Sequence, residues 1–347
     1  NVEETIALST TSLNLRAGTI IGGAGGTTSS VNNSAIDINV DTVAARAATG
    51  IYLREVSGGG AIEVNTAAGV TVNINDVRRA DFDSATTDVS QNRTRLSLDD
   101  LTTTNNGPIK LVAENGTITI NPGAAGTYGV SANGSGDVLL EARNSGSAGS
   151  DVVINADVLS GTGHITLNAA DDVDVNDVLT TGGAGTVYLN AGDDDAAGIN
   201  GIELDAVVTT VNGDVLLNSA DDITQTALIT TTNGDVGLIA TDTITQTATG
   251  DITTTSGDVL VDAGGNWTMD ADATITAGGQ DVLGLEGTNI TLGVIRMTNA
   301  TANRVALEAV AGSITDANGA AINVEETIAL STTSLNLRAG TIIGGAG

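Results

Sequence analysis

The sequence has no cysteine among its 347 residues, only 2 prolines and only 1% aromatic residues. The lack of cysteine excludes disulfide bonds and thiolate metal sites. Aromatic rings close the core of most compact globular domains, and five rings are too few for the two ordinary domains that this length suggests. The five are Tyr52, Phe82, Tyr128, Tyr188 and Trp267.

Positive charge is also scarce, with 12 basic residues against 42 acidic ones and a formal net charge of −30. A chain this negative repels phosphate, which excludes nucleic acid as a direct partner. No apolar run approaches the roughly 18 residues of a membrane-spanning helix, so the sequence predicts no membrane insertion. The residue pattern is already under way at Asn1, so we expect the chain to be part of a longer protein.

Aliphatic residues, in contrast, are plentiful. The chain is 40% hydrophobic with a mean hydropathy of +0.15, which argues against disorder because disordered acidic chains are poor in aliphatics. A core built from valine, isoleucine, leucine and alanine without rings must be thin and repeated many times. We expect an interior too narrow for large rings.

The two ends of the chain have identical sequences. Residues 1–25 read NVEETIALSTTSLNLRAGTIIGGAG, and residues 323–347 repeat them letter for letter. A tandem array with a 322-residue unit, counted from Asn1 to the equivalent Asn323, explains the identity, because the second copy continues the finer repeat without a break. A duplication introduced in cloning is the alternative.

The finer repeat has a period of about 21–23 residues and is clearest in Gly213–Asn233, Gly234–Ser256 and Gly257–Gly279. Each of these units begins with Gly-Asp, a turn signal, and continues with short stretches that alternate apolar and polar residues, as β-strands do. Three short strands per coil, stacked in register, predict an all-β parallel β-helix (β-solenoid) of about 15 coils. Residues 1–347 would form one continuous solenoid segment.

The repeat loosens over residues 75–106, which we interpret as an inserted loop or strand excursion. Repeat proteins often place such insertions on a contact face, and this one holds four of the 12 basic residues: Arg78, Arg79, Arg93 and Arg95. The hypothesis is lateral contact with the acidic face of a neighbouring copy, so the expected partner is the chain itself, both end to end and side by side. The alternative is local pairing of these arginines with Asp81, Asp83, Asp99 and Asp100.

Acidic residues recur after the first strand of successive coils. If the coils stack in register, these carboxylates form a file in which like charges destabilise one another. Calcium binds to carboxylate oxygens, so the file is a candidate Ca²⁺ site, although residues 182–187 lack the aspartate of the Gly-Gly-x-Gly-x-Asp motif. Screening by water and salt is the alternative, and no other cofactor is expected. The predicted ligands are Asp171, Asp172, Asp193, Asp194, Asp195, Asp221, Asp222 and Asp242.

The sequence predicts no enzyme. A glycan-cleaving β-helix needs charged residues that converge in a groove, whereas this chain has a single histidine, His164, in the slot that Asp214 occupies in another coil. Ice binding is a second remote alternative, because threonines recur in pairs. The paired runs are broken at Gly182 and at 277–278, and the threonines concerned are Thr180, Thr181, Thr209, Thr210, Thr230, Thr232, Thr253 and Thr255.

The stretches GDVLLNSADDITQT, NGDVGLIATDTITQT and DTVAARAATGIYLREV (Asp41–Val56) resemble the filamentous-haemagglutinin-like, β-strand-repeat exoproteins of bacteria. The resemblance implies secretion, an extracellular or bacterial cell-surface location, and a role in adhesion or matrix. Two functions follow from it. The identical ends favour a structural filament for cell-surface, biofilm or matrix architecture, and the alternative is the shaft of an adhesin that presents a distal binding domain.

Overall fold

The computed structural model describes residues 8–23, 34–56, 60–80, 86–124, 126, 128–144, 149–192, 201–319, 321–327 and 333–344. It confirms an all-β parallel β-helix: 34 strands join one large sheet, and two more form a separate hairpin. The described residues include no helix of the length and apolarity needed to cross a membrane.

The coils stack into three faces, named here A, B and C in the order in which the chain visits them. Face A contains β2 Ile20–Ile21, β4 Gly50–Glu55, β9 Ile109–Ala113, β12 Val138–Ala142, β15 Ile165–Ala169, β18 Val187–Ala191, β21 Val215–Ser219, β24 Val236–Ala240, β27 Val259–Ala263, β30 Asp281–Glu286, β33 Asn303–Ala309 and β36 Thr333–Ala339. Face B contains β5 Ile62–Val64, β10 Ile118–Ile120, β13 Val152–Ile154, β16 Val173–Val175, β19 Ile202–Leu204, β22 Ile223–Gln225, β25 Ile244–Gln246, β28 Trp267–Met269, β31 Ile290–Leu292 and β34 Ile314–Asp316. Face C contains β8 Leu101–Thr103, β11 Tyr128–Ala132, β14 Asp157–Ser160, β17 Leu179–Thr181, β20 Val208–Thr209, β23 Ile229–Thr231, β26 Ile252–Thr254, β29 Thr274–Ala277, β32 Val294–Met297 and β35 Val324–Glu326.

Alternation of apolar and polar residues decides which side chains enter the core. In β21 the burial alternates at every residue, so Val215 and Leu217 point inward while Leu216 points outward. The same inward position is filled on the next two coils by Val236 and Val259, in register. Removing such side chains from water contributes roughly 25 cal/mol per Å² of apolar surface, and the ladders continue along the whole stack.

Coil length varies more than the sequence predicts. Val236 stacks on Val215 and Val259 stacks on Val236, and both of these intervals have the length of the predicted repeat. The intervals from Ile109 to Val138 and from Val305 to Leu335 are longer, because loops leave the coil there. Twelve strands therefore stack on face A in the described chain, fewer than the predicted 15 or so coils.

Glycine and threonine build the corner between faces C and A. A Cβ atom on Gly234 would lie 2.0 Å from the carbonyl oxygen of Gly213 on the preceding coil, so no larger residue fits there. The buried Thr231 hydroxyl donates a hydrogen bond to the Gly234 carbonyl at 2.5 Å, and Thr210 does the same for Gly213. These contacts give a structural reason for the glycine that opens each repeat.

The expectation that the interior is too narrow for a large ring is wrong at one coil. Trp267 is completely buried between Ile244 and Ile290 of face B. Gly284 makes the room, because a Cβ atom at this inward position of face A would lie 2.8 Å from the indole ring. The indole N–H donates to the Oε1 atom of the buried Gln246 at 2.9 Å.

The N-terminal coils are built differently. Two long strands, β1 (Leu8–Arg16) and β3 (Ile36–Ala47), run parallel to each other, and β3 alone pairs with all three faces. Between β5 on face B and β8 on face C, the chain leaves the coil as an antiparallel hairpin of β6 (Val70–Ala80) and β7 (Thr86–Arg95). Residues from about 98 onward return to the stack, so only part of 75–106 lies outside it.

The two identical segments pair differently at the two ends. Leu13 of the first copy pairs with Val43, which in turn pairs with Val64 of face B. Its counterpart in the second copy, Leu335, pairs with Val305 of face A. Ile21 lies on face A, whereas its counterpart Ile343 bridges to face B. The same sequence thus accepts two registers, and the neighbouring coil decides between them.

The fit between Trp267 and Gly284 is testable by a double-mutant cycle. We expect Trp267→Ala to cost about 3–5 kcal/mol of unfolding free energy through the cavity it leaves, and Gly284→Leu to cost about 1–3 kcal/mol through overpacking. The double variant should be more stable than the sum predicts by about 1 kcal/mol or more. Urea denaturation followed by circular dichroism measures these values.

The matched control is Gly237→Leu, which adds the same side chain on the outer side of face A. Its Cβ atom would meet only the flexible end of Leu216, at 2.9 Å, so we expect a much smaller loss. Additive losses for Trp267 and Gly284 would contradict the size complementarity.

Candidate functional site

The aspartates of three Gly-Asp turns and Asp281, which follows Gln280, form a hydrogen-bonded file named here the aspartate ladder: Asp214, Asp235, Asp258 and Asp281. Each Oδ1 atom accepts the backbone N–H of the next aspartate, at 2.9, 2.8 and 2.9 Å in turn. From the sequence we interpreted Asp214, Asp235 and Asp258 only as turn residues after glycine, and the hydrogen bonds between successive aspartates were not predicted. Asp214, Asp235 and Asp258 therefore each keep one oxygen that the ladder does not use, whereas Asp281 is paired with Arg304 through both of its oxygens.

His164 takes an equivalent position in an earlier coil. Its backbone N–H donates to Asp137 Oδ1 at 2.8 Å, and its Nδ1 atom accepts the backbone N–H of Thr186 at 3.2 Å. This geometry accounts for the single histidine as a member of the same kind of ladder. The Thr186 hydroxyl lies 2.8 Å from the same Nδ1 atom, so the ring bridges to the next coil through both groups of Thr186.

Next to the aspartate ladder, face A has an apolar groove of about 420 Å³ on its outer side. Leu216, Leu260 and Leu283 line it, and Gly237 leaves a notch between the first two. All four ladder aspartates lie along its edge. We name these four apolar residues together with the aspartate ladder the leucine groove.

Two of the predicted aspartates meet a third that we did not predict. Carboxylate oxygens of Asp151, Asp171 and Asp172 lie within 4.8 Å of one another. Asp171 is buried and accepts the N–H of Gly149 at 3.0 Å, and Asp151 accepts the Thr117 hydroxyl at 3.0 Å. The missed signal was the Asp-apolar-x-apolar pattern, because Val152 stacks on Val173 and so places Asp151 beside Asp172.

A second cluster joins Asp221, Asp222 and Asp242, again with one oxygen of each within 4.8 Å. Asp222 accepts the N–H of Thr243 at 2.7 Å, while Asp242 is exposed. The remaining predicted ligands, Asp193, Asp194 and Asp195, lie outside the described residues. Five of the six residues in the two clusters were therefore predicted from the sequence.

Burial and like charge raise the pKa of several of these carboxyls. Burial is the main cause of raising the pKa of Asp172 to about 6, with the neighbouring Asp171 and Asp151 adding to it. Burial likewise raises the pKa of Asp151 and of Asp222. Each cluster thus stores electrostatic repulsion that either a proton or a bound cation would relieve.

The arginines of the insertion lie on the β6–β7 hairpin. Arg93 and Arg95 are exposed on β7, whereas Arg78 and Arg79 lie on β6, where the structure describes the backbone only. Of the aspartates considered for local pairing, Asp81 and Asp83 lie outside the described residues. Among the described side chains, the ion pairs involve other arginines, namely Arg54, Arg143, Arg296, Arg304 and Arg338.

The threonines do not form the paired ranks that the ice-binding alternative needs on face C. In the pairs Thr180–Thr181 and Thr209–Thr210, the first residue points outward and the second is buried with its hydroxyl bonded to a corner glycine. The second members of the other two pairs, Thr232 and Thr255, are exposed in the turns that follow the strands. The outward residues form a single file that Gly182 and Ala277 do not break, because Ala277 stacks on the inward Thr254. This file is Thr180, Thr209, Thr230, Thr253 and Thr276.

Comparison with known proteins adds no family to this geometry. No family model matches the chain, and neither the curated proteins nor the solved structures give a match. The resemblance to filamentous-haemagglutinin-like exoproteins therefore stays a prediction from the residues.

Glu286 is a buried carboxyl that the sequence did not single out. It ends β30 and is 1% exposed, its Oε2 accepts the N–H of Ala263 at 3.0 Å, and its Oε1 has no hydrogen-bond partner among the described residues. Burial raises its pKa to about 9. The folded state therefore keeps a proton that the unfolded chain releases at a much lower pH.

The acidic clusters predict calcium-dependent stability. Ca²⁺ should raise the melting temperature relative to EDTA, and more at about pH 7.5 than at about pH 5, because Asp172 must lose its proton to bind a cation. Thermal unfolding followed by circular dichroism is the measurement. Asp171→Asn with Asp172→Asn should reduce the shift while keeping both hydrogen-bond acceptors.

The control for charge alone is Asp214→Asn with Asp235→Asn, which removes two charges outside the clusters and keeps the ladder acceptors. This control should keep the Ca²⁺ response of the parent chain. An equal melting temperature in Ca²⁺ and EDTA would remove the calcium hypothesis.

Glu286 predicts a pH dependence of the opposite sense to that of an ion-paired carboxylate. Because its pKa is raised in the folded state, its contribution is full below about pH 4.5 and is lost as the pH rises through about 9. Glu286→Gln should therefore raise the melting temperature at about pH 8 and change it little at about pH 4. Glu308→Gln, at a more exposed position on the next coil, is the control and should show no such trend; equal behaviour of the two variants would count against the assignment.

Proposed function

We propose that the chain is a segment of a structural extracellular filament built from tandem β-solenoid units, located outside the cell or on the bacterial surface and without catalytic activity. The observation that carries the proposal is the axial stack itself. Backbone hydrogen bonds run from coil to coil through β36, the last strand on face A in the described chain. The last coil of such a stack exposes unpaired backbone groups and core side chains, so either a capping segment or a further coil has to cover it.

The C-terminal end of the described stack has the surface of an interrupted core. Leu335, Ile342 and Ile343 are each more than half exposed, and a groove of about 210 Å³ opens between β33, β35 and β36. Exposed sheet edges with apolar side chains pair readily with further strands. A following unit would cover this end, and the sequence at 323–347 is the one that begins such a unit.

Covalent continuity also explains how one sequence can accept two registers. Among the described strands, β1 pairs with β3, which follows it, and β36 pairs with β33, which precedes it. Within an array the segment would have both neighbours, and their combined packing would select a single register. The proposed secretion and surface location rest on the resemblance of the repeat sequence to bacterial exoproteins.

Electron microscopy of a protein with two 322-residue units in tandem tests the proposal. Twelve strands at about 4.8 Å correspond to a stack of roughly 55 Å per unit, so we expect one straight rod of about twice that length. The single-unit chain is the control for length. Two particles joined by a flexible link would contradict a continuous stack.

Imaging of the native material separates the filament from the adhesin shaft. Long fibres of repeating units are expected for the filament. Single rods with distinct tips would favour the shaft of an adhesin instead.

A further inference from the structure

The β6–β7 hairpin has one face that combines apolar and basic side chains. Its antiparallel register places Val70 opposite Arg95 and Val72 opposite Arg93, and directly opposite residues point to the same side of a two-stranded sheet. Ile74 follows Val72 on this side. We name these five residues the hairpin face; the other side has the hydrogen-bonded pair Thr71 and Thr94 instead.

The apolar part of the hairpin face is uncovered. Val70 is 58% exposed, Val72 54% and Ile74 50%. An isolated two-stranded hairpin is marginally stable in water, and three aliphatic side chains in a row on its surface mark an interaction site. The hairpin therefore has a surface suited to a partner that is apolar in the middle and acidic at the edge.

The leucine groove on face A has this chemistry. Leu216, Leu260 and Leu283 supply the apolar floor, and Gly237, which has no side chain, leaves a notch bordered by the flexible end of Leu216. Asp214, Asp235 and Asp258 supply carboxylates along one edge at strand spacing, each with an oxygen beyond the one that the next coil uses. Asp281, the last aspartate of the ladder, is instead paired with Arg304 through both of its oxygens. Arginine binds carboxylates through its planar set of N–H donors and packs its stem on apolar surface.

The hairpin does not face the groove of its own chain. It leaves the coil at the corner between faces B and C, which is opposite face A in a three-sided stack. The segment that follows the hairpin is held near the N-terminal end of the stack, because Asn14 and Arg16 of β1 donate hydrogen bonds to the carbonyl oxygens of Leu96 and Ser97. The groove begins at β21, five layers further along face A than β4, or about 24 Å at strand spacing.

We propose that the hairpin face of one copy docks in the leucine groove of a second copy, with Val72 in the notch at Gly237 and Arg93 and Arg95 against the aspartate ladder. The contact joins a corner of one stack to a face of the next, so it is heterologous and repeats from copy to copy without closing. This inference rests on the proposed filament function, to which it adds the surfaces that bundle filaments side by side.

Cysteine cross-linking tests the contact directly, because the chain has no cysteine of its own. Val72→Cys and Leu260→Cys are prepared as separate full-length proteins, and the thiol of the first is activated as a mixed disulfide with thionitrobenzoate so that only the unlike pair reacts. We expect the mixed dimer to form about tenfold more than in either control pair, equivalent to about 1.4 kcal/mol of docking free energy. Non-reducing electrophoresis and mass spectrometry measure the yield.

The control pairs move one cysteine to a surface that the proposal leaves free. Val72→Cys is paired with Thr230→Cys on face C, and Thr71→Cys on the other side of the hairpin is paired with Leu260→Cys. Equal yields in all three pairs would overturn the proposal, since they would report random collision.

A charge swap then tests the acidic edge. Arg93→Glu with Arg95→Glu in the Val72→Cys chain should lower the yield to the control level, and Asp235→Lys with Asp258→Lys in the Leu260→Cys chain should restore it. Circular dichroism checks that both chains keep their fold, because the lysines lose two ladder acceptors. A yield that stays low with both changes would overturn the assigned partner surface.

The test separates this inference from the filament function. Rods that continue end to end in the electron microscope but give no selective cross-link would refute the lateral contact and leave the filament standing. Selective cross-linking together with a tandem protein that forms no continuous rod would do the reverse.

Discussion

The in-register stacking of one coil on the next is the constraint on which the rest of the structure depends. In the described stack, the strands of each coil bond to the strands of the neighbouring coils, so each coil must place its residues over those below at a spacing of about 4.8 Å. A residue is therefore selected by what lies directly above and below it. This is why Gly234 lies over Gly213 with no space for a side chain, and why each aspartate of the ladder can bond the N–H of the next.

The same constraint means that a residue differing in size or polarity from those stacked above and below it destabilises the fold, unless a residue on another strand compensates. Two buried glutamines stack on face B, and the Gln246 amide donates a hydrogen bond to the side-chain oxygen of Gln225. The indole N–H of Trp267, on the next coil, donates to the side-chain oxygen of Gln246. The indole then needs volume that an aliphatic ladder does not leave, and the glycine at position 284 supplies it from the opposite face. Glu286 has no such compensation: its neighbours in the file are alanines, Ala263 and Ala309, and its carboxyl is buried with one oxygen unbonded among the described residues.

The repeat made the fold predictable from the sequence, because strand alternation and Gly-Asp turns are local signals that recur. What the sequence could not supply was the alignment between coils of unequal length. Asp151 joins Asp171 and Asp172 because Val152 stacks on Val173, and the longer connection after β12 hides this equivalence in the sequence. Thr253 and Thr254 are the same residue type in the sequence, yet Thr253 points outward and Thr254 is buried. An alignment between coils that is shifted by one residue would exchange these two positions. Trp267 was misjudged for a related reason: the residue that accommodates it lies on another strand and another face.

Surface charge and the sparse arginines complete the relation between fold and assembly. A formal charge of −30 along a stack of roughly 55 Å is about one charge per 2 Å, near the density of duplex DNA.

Parallel stacks with this charge repel one another at every coil, so favourable contact between them has to be local and must combine opposite charge with apolar burial. Faces B and C have outward threonines in several coils, and face B also has outward acidic residues such as Asp174 and Glu203. The hairpin face and the leucine groove each combine apolar side chains with charges of one sign, and their signs are opposite. In the proposed filament, a contact that repeats once per unit would hold neighbouring stacks at a defined axial offset, because a 322-residue repeat would fix the distance from one hairpin to the next.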